Sequence, residues 1–148
     1  MPLELSLAGK TYPPTRPYDV SREKIREFAE AVGAAEPAYL DPAAARALGH
    51  PDVVAPPTFP IVVSTLGWQP VIDDKELGLD YDRVVHGGQR FVYSRPVYAG
   101  DRLVCAITLE EIMERGGHGF LTLRGDISTE VGEAVVTVWT KFVVRGEE

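Results

Sequence analysis

The segment TFPIVVSTLGW, residues 58–68, constrains the fold most strongly, because it is apolar on nearly every side. Thr58 is placed to act as a helix N-cap, and Pro60 falls in the first turn, where a proline is tolerated. A helix that is apolar all round is expected to be buried all round. The rest of the chain must therefore supply a surface that wraps around this helix.

Four runs rich in β-branched and aromatic residues, starting at residue 83, predict that surface. They are RVVHGGQRFVYSRPVYAG, DRLVCAITLEEIMER, GFLTLRGDISTE and EAVVTVWTKFVV. Their separators, AGD, RGGHG and EVGE, are short, so consecutive strands are predicted to be antiparallel neighbours. His118, within RGGHG, is predicted to lie in an exposed hairpin turn. Both alternating sets of side chains in the last run include apolar residues, which predicts that both faces of that strand are at least partly covered.

A short amphipathic helix is predicted before these elements, in YDVSREKIREFAEAVG. Ser21 or Asp19 is available as its N-cap, and Gly33 is placed as its C-terminal stop. DPAAARALGH adds a further helical turn before the break at His50-Pro51. The apolar side chains of the first helix recur at helical spacing: Ile25, Phe28, Ala29 and Val32.

Length and charge limit the classes of function. A chain of 148 residues with 45% hydrophobic content predicts one domain, residues 1–148, with a real core. The formal charge of −7 argues against nucleic acid and anionic membrane as partners. Cys105 is the one cysteine, and no Cys/His cluster has metal-ligand spacing, so no metal or cofactor is expected. The absence of a signal peptide pattern and of a long apolar run predicts a cytoplasmic protein.

Three stretches resemble one protein family: YDVSREKIREFAEAVGAAEPAYLD, VVAPPTFPIVV and GGQRFVYSRPVYAGDRL. They are similar to the MaoC-like (3R)-hydroxyacyl dehydratases and hydratases, in their N-terminal dehydratase-domain type. RPVYAGDRL carries most of this resemblance, through its Pro and the Gly-Asp that follows. The resemblance covers nearly the whole chain and implies an α+β hot-dog fold, a curved antiparallel sheet wrapped around a central apolar helix.

The family's catalytic loop has the form Gly-Asp-x-Asn-Pro-x-His, in which the Asp and His exchange protons with the substrate. The resemblance places Gly33 and Pro37 in this loop, but Ala34 stands at the Asp position and Tyr39 at the His position. In this respect the chain most resembles the non-catalytic subunit of the mycolic-acid-type (3R)-hydroxyacyl-ACP dehydratases. Glu36, at the Asn position, either replaces the missing acid or is a solvated loop carboxylate.

Histidines and a further carboxylate offer weaker substitutes for the missing pair. His50 and Asp52 are close enough in sequence to form a histidine–carboxylate pair that acts as a general base, or they brace a loop. His86, followed by Gly87, either lines the acyl site or is a histidine at the start of a strand bonded to the backbone. The predicted substrate-binding residues are Gly33, Pro37, Tyr39, Thr58, Phe59, His86, Gly87 and Arg90.

Arginines near the implied substrate cleft suggest a local positive patch: Arg83, Arg90, Arg95 and Arg102. Such a patch suits the phosphate of a pantetheine arm or an acidic acyl carrier protein. The alternative is that these are exposed cations that offset nearby carboxylates, namely Asp80, Asp82 and Asp101.

Three functions stay open at this point. The chain is an acyl-chain-binding partner of a catalytic dehydratase subunit, a self-sufficient homodimeric dehydratase, hydratase or thioesterase, or an acyl-thioester binding protein without chemistry. The expected ligands are acyl-ACP or acyl-CoA thioesters. The resemblance implies a homodimer or heterodimer of hot-dog subunits that pair sheet edge to sheet edge.

Overall fold

The computed structural model describes residues 2–147. Five antiparallel strands form one curved sheet in the order β1-β3-β4-β5-β2. The strands are β1 (Tyr18–Asp19), β2 (Val84–Tyr93), β3 (Arg102–Arg115), β4 (His118–Thr129) and β5 (Ala134–Val144). The helices are α1 (Arg22–Val32), α2 (Pro42–Ala47), α3 (Pro60–Ser64) and α4 (Trp68–Ile72). This arrangement of a helix and a curled antiparallel sheet confirms the hot-dog fold.

Helices α3 and α4 form the central helical segment, joined by a short 3₁₀ turn at Thr65–Gly67. Phe59, Val63 and Val71 are fully buried along it, in the same hydrophobic core as the sheet's inner face. The prediction of burial on every side is wrong for one flank of the segment, because Leu66 is 44% exposed. One side of the central helix is therefore open in a single chain.

The start of the central helix also differs from its prediction. Phe59 is the N-cap, its backbone is already helical, and no side chain caps the helix. The carbonyl of Thr58, rather than its hydroxyl, accepts the N–H of Ile61 at 3.2 Å. Thr58 is exposed and is not a capping residue.

The central helix approaches the sheet closely at a glycine of β4. A Cβ atom added at Gly125 would lie 3.0 Å from the Sγ of Cys105, 3.3 Å from a terminal carbon of Ile107 and 3.7 Å from the Cβ of Ser64 on α3. A side chain at Gly125 would press against Cys105 and Ile107 of the neighbouring strand β3, so this position has no room for an added methyl group unless those neighbours move.

We expect Gly125→Ala to lower the free energy of unfolding by about 1–3 kcal/mol, the usual cost of overpacking a core. Gly88→Ala is the matched control, because a Cβ at Gly88 would meet only Lys141, at 3.7 Å. That change should stay within about 0.5 kcal/mol of the unsubstituted protein. Urea unfolding of the two variants measures the difference, and equal stabilities would contradict the proposed close approach.

The position of β2 contradicts the prediction that all consecutive strands are neighbours. Strand β2 pairs with β5, in register from Val84 opposite Val144 to Tyr93 opposite Val136, and does not pair with β3. The β3–β4 and β4–β5 pairs, by contrast, are antiparallel neighbours as predicted. The connection from β2 to β3 is not a tight hairpin, because its backbone bonds to the segment before α3, with the N–H of Ala55 donating to Val97 O at 2.8 Å.

The two faces of β5 differ in burial. Its inner side chains are buried: Val136, Val138, Thr140 and Phe142. Its outer side chains are half-buried at Thr137, Trp139 and Val143 and exposed at Lys141, so the outer face is partly covered, as predicted.

The N-terminal elements follow their sequence signals closely. The hydroxyl of Ser21 accepts the N–H of Lys24 and caps α1, so Ser21 and not Asp19 is the N-cap. Gly33 ends α1 in the left-handed conformation, with φ 73°, which glycine adopts without strain. His118 is exposed, as predicted, but it is the first residue of β4, directly after the turn at Gly116 and Gly117. Cys105 is buried. Among residues 2–147, no helix has the length and hydrophobicity needed to cross a membrane.

Candidate functional site

The loop after α1 keeps a defined backbone without a proton-exchanging pair. The N–H of Ala34 donates to Ala29 O at 2.8 Å, and residues Pro37–Tyr39 form one 3₁₀ turn. Glu36 precedes this turn and is exposed, and its side chain does not cap it. The methyl group of Ala34 cannot transfer a proton, so acid–base chemistry from this loop would depend on Glu36 or Tyr39.

Tyr39 is half-buried and packs against the hydrophobic core. Burial raises the pKa of its phenol, and the nearby Glu36 carboxylate raises it further. A phenol with a raised pKa keeps its proton at neutral pH, so Tyr39 can donate a hydrogen bond but is a poor base.

Tyr93 lies at the end of β2 beside this loop, and the sequence reasoning missed it. Its hydroxyl donates a hydrogen bond to the carbonyl of Pro57, just before α3. Burial raises the pKa of Tyr93, and the proximity of Tyr39 contributes to the increase. Its period-two spacing from Phe91 was the available signal. The two tyrosines therefore lie in the same region, near the start of the central helix.

The apolar side of this region is formed by two phenylalanines. The rings of Phe28 on α1 and Phe59 meet edge to face, with centroids 5.4 Å apart. Phe59 is fully buried, and Phe28 packs against the same core. This combination of two phenols and two apolar rings suits an apolar chain better than a charged group.

Asp52 forms an ion pair with Arg22, whereas the nearby His50 contacts Tyr98. Two hydrogen bonds from the Arg22 guanidinium reach the two carboxylate oxygens, at 3.0 and 2.9 Å. These bonds hold the pKa of Asp52 below its usual value. The His50 ring instead lies against the Tyr98 ring, with centroids 5.6 Å apart and the ring planes tilted by 45°. In the part of the chain that the structure describes, no hydrogen bond joins His50 to Asp52, and Asp52 ties α1 to the loop before α3.

His86 belongs to a polar network on the inner face of β2. Its Nε2 lies 3.0 Å from the Oε1 of Gln89, which also accepts the hydroxyl of Thr140 at 3.1 Å. The amide nitrogen of Gln89 donates to Trp139 O at 2.9 Å. Seven residues of strand, about 20 Å, separate His86 from Tyr93 at the other end of β2. Within one chain the structure therefore does not bring His86 and Gly87 to the Tyr39 loop.

The four arginines do not form one free patch. Arg83 lies 3.4 Å from Asp80, and Arg102 lies 2.7 Å from Asp19. Arg90 differs from them, because its guanidinium stacks 4.4 Å from the centre of the Trp139 ring, and no ion pair among residues 2–147 includes it. Arg90 is exposed, so its charge is available to a ligand.

An ion pair between Arg95 and Asp101 joins the two ends of the RPVYAGDRL segment. Both oxygens of Asp101 accept hydrogen bonds from Arg95, at 2.9 and 3.0 Å, and one also accepts the N–H of Tyr98 at 2.9 Å. The side chains are 23% and 13% exposed, so the pair is shielded from water. The pair shapes the connection that carries the chain from β2 to β3.

We expect Asp101→Ala to reduce the free energy of unfolding by about 1–3 kcal/mol, because it leaves the N–H of Tyr98 without its acceptor and removes two hydrogen bonds of the shielded Arg95 guanidinium. The guanidinium keeps Glu133 and the carbonyl of Pro96 as partners. Asp126→Ala is the control, because its pair with Arg124 is more exposed, at 52% and 35%. Removal of an exposed pair should cost less than about 1 kcal/mol. Thermal unfolding compares the two variants, and a larger loss for Asp126→Ala would contradict this account.

The comparisons with known proteins agree with this fold. Residues 6–138 match a family described as FAS1-like, dehydratase domain region. A UPF0336 protein of Streptomyces coelicolor is 58% identical over 148 residues, covering 100% of this chain and 99% of that protein. A UPF0336 protein of Thermobifida fusca is 49% identical over 147 residues, covering 99% of this chain and 97% of that one.

Solved structures extend the comparison. The C-terminally truncated HadBC (3R-hydroxyacyl-ACP dehydratase) complex of Mycobacterium tuberculosis has a chain with TM-score 0.82 and 31% identity, covering 93% of this chain and 96% of that one. A MaoC-like dehydratase has TM-score 0.87 and 32% identity, covering 95% of this chain and 43% of that one. On its fold, its loop frame and these matches, the chain belongs to the MaoC-like hot-dog dehydratase family.

Proposed function

We propose that this chain is a subunit of a (3R)-hydroxyacyl-thioester dehydratase of fatty-acid metabolism, and that it binds the acyl chain while a second hot-dog subunit supplies the Asp and His. One observation carries the proposal: the loop keeps its Gly33 and Pro37 frame but holds Ala34 and Tyr39 at the two proton-transfer positions. The likeness to a chain of the HadBC dehydratase complex supports it.

Physical chemistry gives a reason for such a division of labour. An ionisable pair next to a long acyl chain must be desolvated when the chain enters, which costs free energy. Ala34 removes one of these groups, and Tyr39 replaces the other by a neutral phenol. The half-buried ring of Phe28, held edge to face against the buried Phe59, adds an apolar wall nearby. The acyl chain can then contact an apolar surface at this loop without desolvating the ionisable Asp and His of the family.

A second hot-dog subunit is the proposed partner, seated on β2. This strand ends the sheet, so its outer row of backbone N–H and C=O groups is free to pair. The same edge exposes Val85 and Val92, and the open flank of the central helix exposes Leu66. The HadBC and ChsH1-ChsH2 structures are both complexes of two named components, which supports a partnered subunit. The proposed setting is the cytoplasm.

The carrier of the acyl group, ACP or CoA, is proposed to contact Arg90. Its guanidinium is exposed and held over Trp139, whereas Arg83 and Arg102 are each paired with a carboxylate. A guanidinium of this kind can bind a phosphate or an acidic side chain of a carrier protein.

A self-sufficient homodimer is the second candidate, and the His86 network is the observation that favours it. His86 is an exposed imidazole whose ring is oriented by a hydrogen bond with Gln89. A histidine oriented in this way can act as a general base. A dehydratase, hydratase or thioesterase could use it in place of the family pair.

An assay on a trans-2-enoyl-CoA substrate separates the candidates. The chain is purified and tested alone, and then with a hot-dog subunit from the same genome that carries an intact Gly-Asp-x-Asn-Pro-x-His loop. Hydration only in the mixture is the expected result. Hydration by the chain alone would favour the homodimeric enzyme, and acyl binding without turnover in both samples would favour a binding protein.

A further inference from the structure

The tautomer of His86 follows from the hydrogen bonds of Gln89. The amide nitrogen of Gln89 donates to Trp139 O, so its Oε1 is the atom that faces His86 and Thr140. Because Oε1 can only accept, the Nε2 of His86 must carry the proton in this contact. Nδ1 then carries the lone pair, and within residues 2–147 it has no hydrogen-bond partner.

This network is buried on one side and open on the other. Thr140 is 1% exposed, so the polar atoms that hold Gln89 are part of the core. His86 itself is exposed at the sheet edge. A fixed tautomer with an unused acceptor at an open edge points to a group that arrives from outside the chain.

Strand β2 places His86 and Tyr93 on one face of the sheet. Their cross-strand partners on β5 are Phe142 and Val136, which are both buried on the inner side. Paired residues share a face, so His86 and Tyr93 both lie on the side of the central helix. They are far apart within one chain because they occupy opposite ends of the strand.

Antiparallel pairing of two β2 strands removes that separation. A two-fold axis through the middle of Val84–Tyr93 sets the first half of one strand beside the second half of the other. Directly opposed side chains in such a pair have Cβ atoms about 5 Å apart. His86 of one copy then lies beside Phe91 and Tyr93 of the other, next to that copy's Tyr39 loop.

We propose that His86 acts across the subunit boundary: in a dimer paired through β2, its Nδ1 accepts a hydrogen bond from a donor on the acyl-thioester bound at the Tyr39 loop of the second copy. This inference rests on the edge pairing in the proposed function and names a binding residue for the same site. The donor is the 3-hydroxyl of the acyl group or an amide N–H of the pantetheine arm. In a mixed dimer the same geometry delivers His86 to the loop of the catalytic subunit.

Cross-linking tests the placement without requiring any activity. Copies with His86→Cys and copies with Tyr93→Cys are co-expressed and treated with a short bis-maleimide. The native Cys105 is buried, so the introduced thiols are the reactive ones. A covalent dimer is expected from the mixture and not from either variant alone. His118→Cys with Tyr93→Cys is the control, because His118 lies at the β3–β4 turn, and it should give none.

Calorimetric binding tests the role of the imidazole. In the His86→Ala dimer the affinity for 3-hydroxybutyryl-CoA is expected to fall about tenfold, the usual effect of one lost hydrogen bond. His118→Ala should leave it unchanged. Butyryl-CoA identifies the donor: its affinity falls with His86→Ala only if a pantetheine amide is bound, and stays constant if the 3-hydroxyl is.

Three results would overturn the inference: a chain that stays monomeric, a dimer without the His86–Tyr93 cross-link, or unchanged affinity of His86→Ala for both thioesters. Failure of the proposed function has a different signature. Suppose that the dimer shows the cross-link and the loss of affinity, but that adding a subunit with the Asp/His loop gives no dehydratase activity. That result contradicts the proposed function and leaves the role of His86 intact.

Discussion

Turnover by the mixed complex is expected to fall by about 10²–10⁴-fold when the Asp and His of the second subunit's loop are replaced by Asn and Gln, because acid–base groups contribute that much to such reactions. Glu36→Gln in this chain should change turnover by less than about twofold, since it removes no transition-state interaction. Glu36 is exposed and does not cap the turn that follows it. Steady-state kinetics of the two complexes with one enoyl thioester measure both effects.

Folding must be controlled in that experiment. Each variant complex should elute at the size of the unsubstituted complex and unfold at a similar temperature, so that a loss of turnover is a loss of chemistry. A large effect of Glu36→Gln with the second subunit's pair intact would contradict the proposal, because it would place a working acid in this chain's own loop.

The largest expected effect on stability comes from the inner face of the sheet. Leu121 on β4 is 0% exposed and belongs to the core that packs against the central helix. We expect Leu121→Ala to lower the free energy of unfolding by about 2–5 kcal/mol, through lost burial and the cavity left behind. Leu48→Ala removes the same atoms from a side chain that is 69% exposed and should cost less than about 0.5 kcal/mol.

Urea unfolding of the two leucine variants gives the comparison directly. The denaturant dependence should stay the same while the midpoint moves only for Leu121→Ala. Similar midpoints for both variants would mean that the inner face of β4 is not the packed surface described above.

Local sequence signals predicted the elements that depend on local physics. The capping hydroxyl of Ser21 and the left-handed Gly33 mark the two ends of α1, and both are visible in the sequence. The turns between β3, β4 and β5 are short, so the order of these strands followed from chain length alone. The resemblance aligned the loop and identified Ala34 and Tyr39 from the sequence.

Long-range partners could not be predicted in this way. Strand β2 lies at the far edge of the sheet because it pairs with β5. The two strands are distant in sequence: Gln89 and Trp139, which are joined by a hydrogen bond, are 50 residues apart. Arg22 and Asp52 are 30 residues apart in sequence, so the residues around Asp52 could not indicate that Arg22 is its partner. Tyr93 joined the candidate site only through its contact with Pro57, which depends on the fold.

One titration tests the central claim, that this chain binds the acyl chain and another subunit transfers the protons. The amount of the subunit with the intact Asp/His loop is held constant, this chain is added in increasing amounts, and hydration of a trans-2-enoyl-CoA is recorded. We expect no turnover by this chain alone and a rate that rises to a plateau at one copy per catalytic subunit. Turnover by this chain alone at the rate of the complex would contradict the claim.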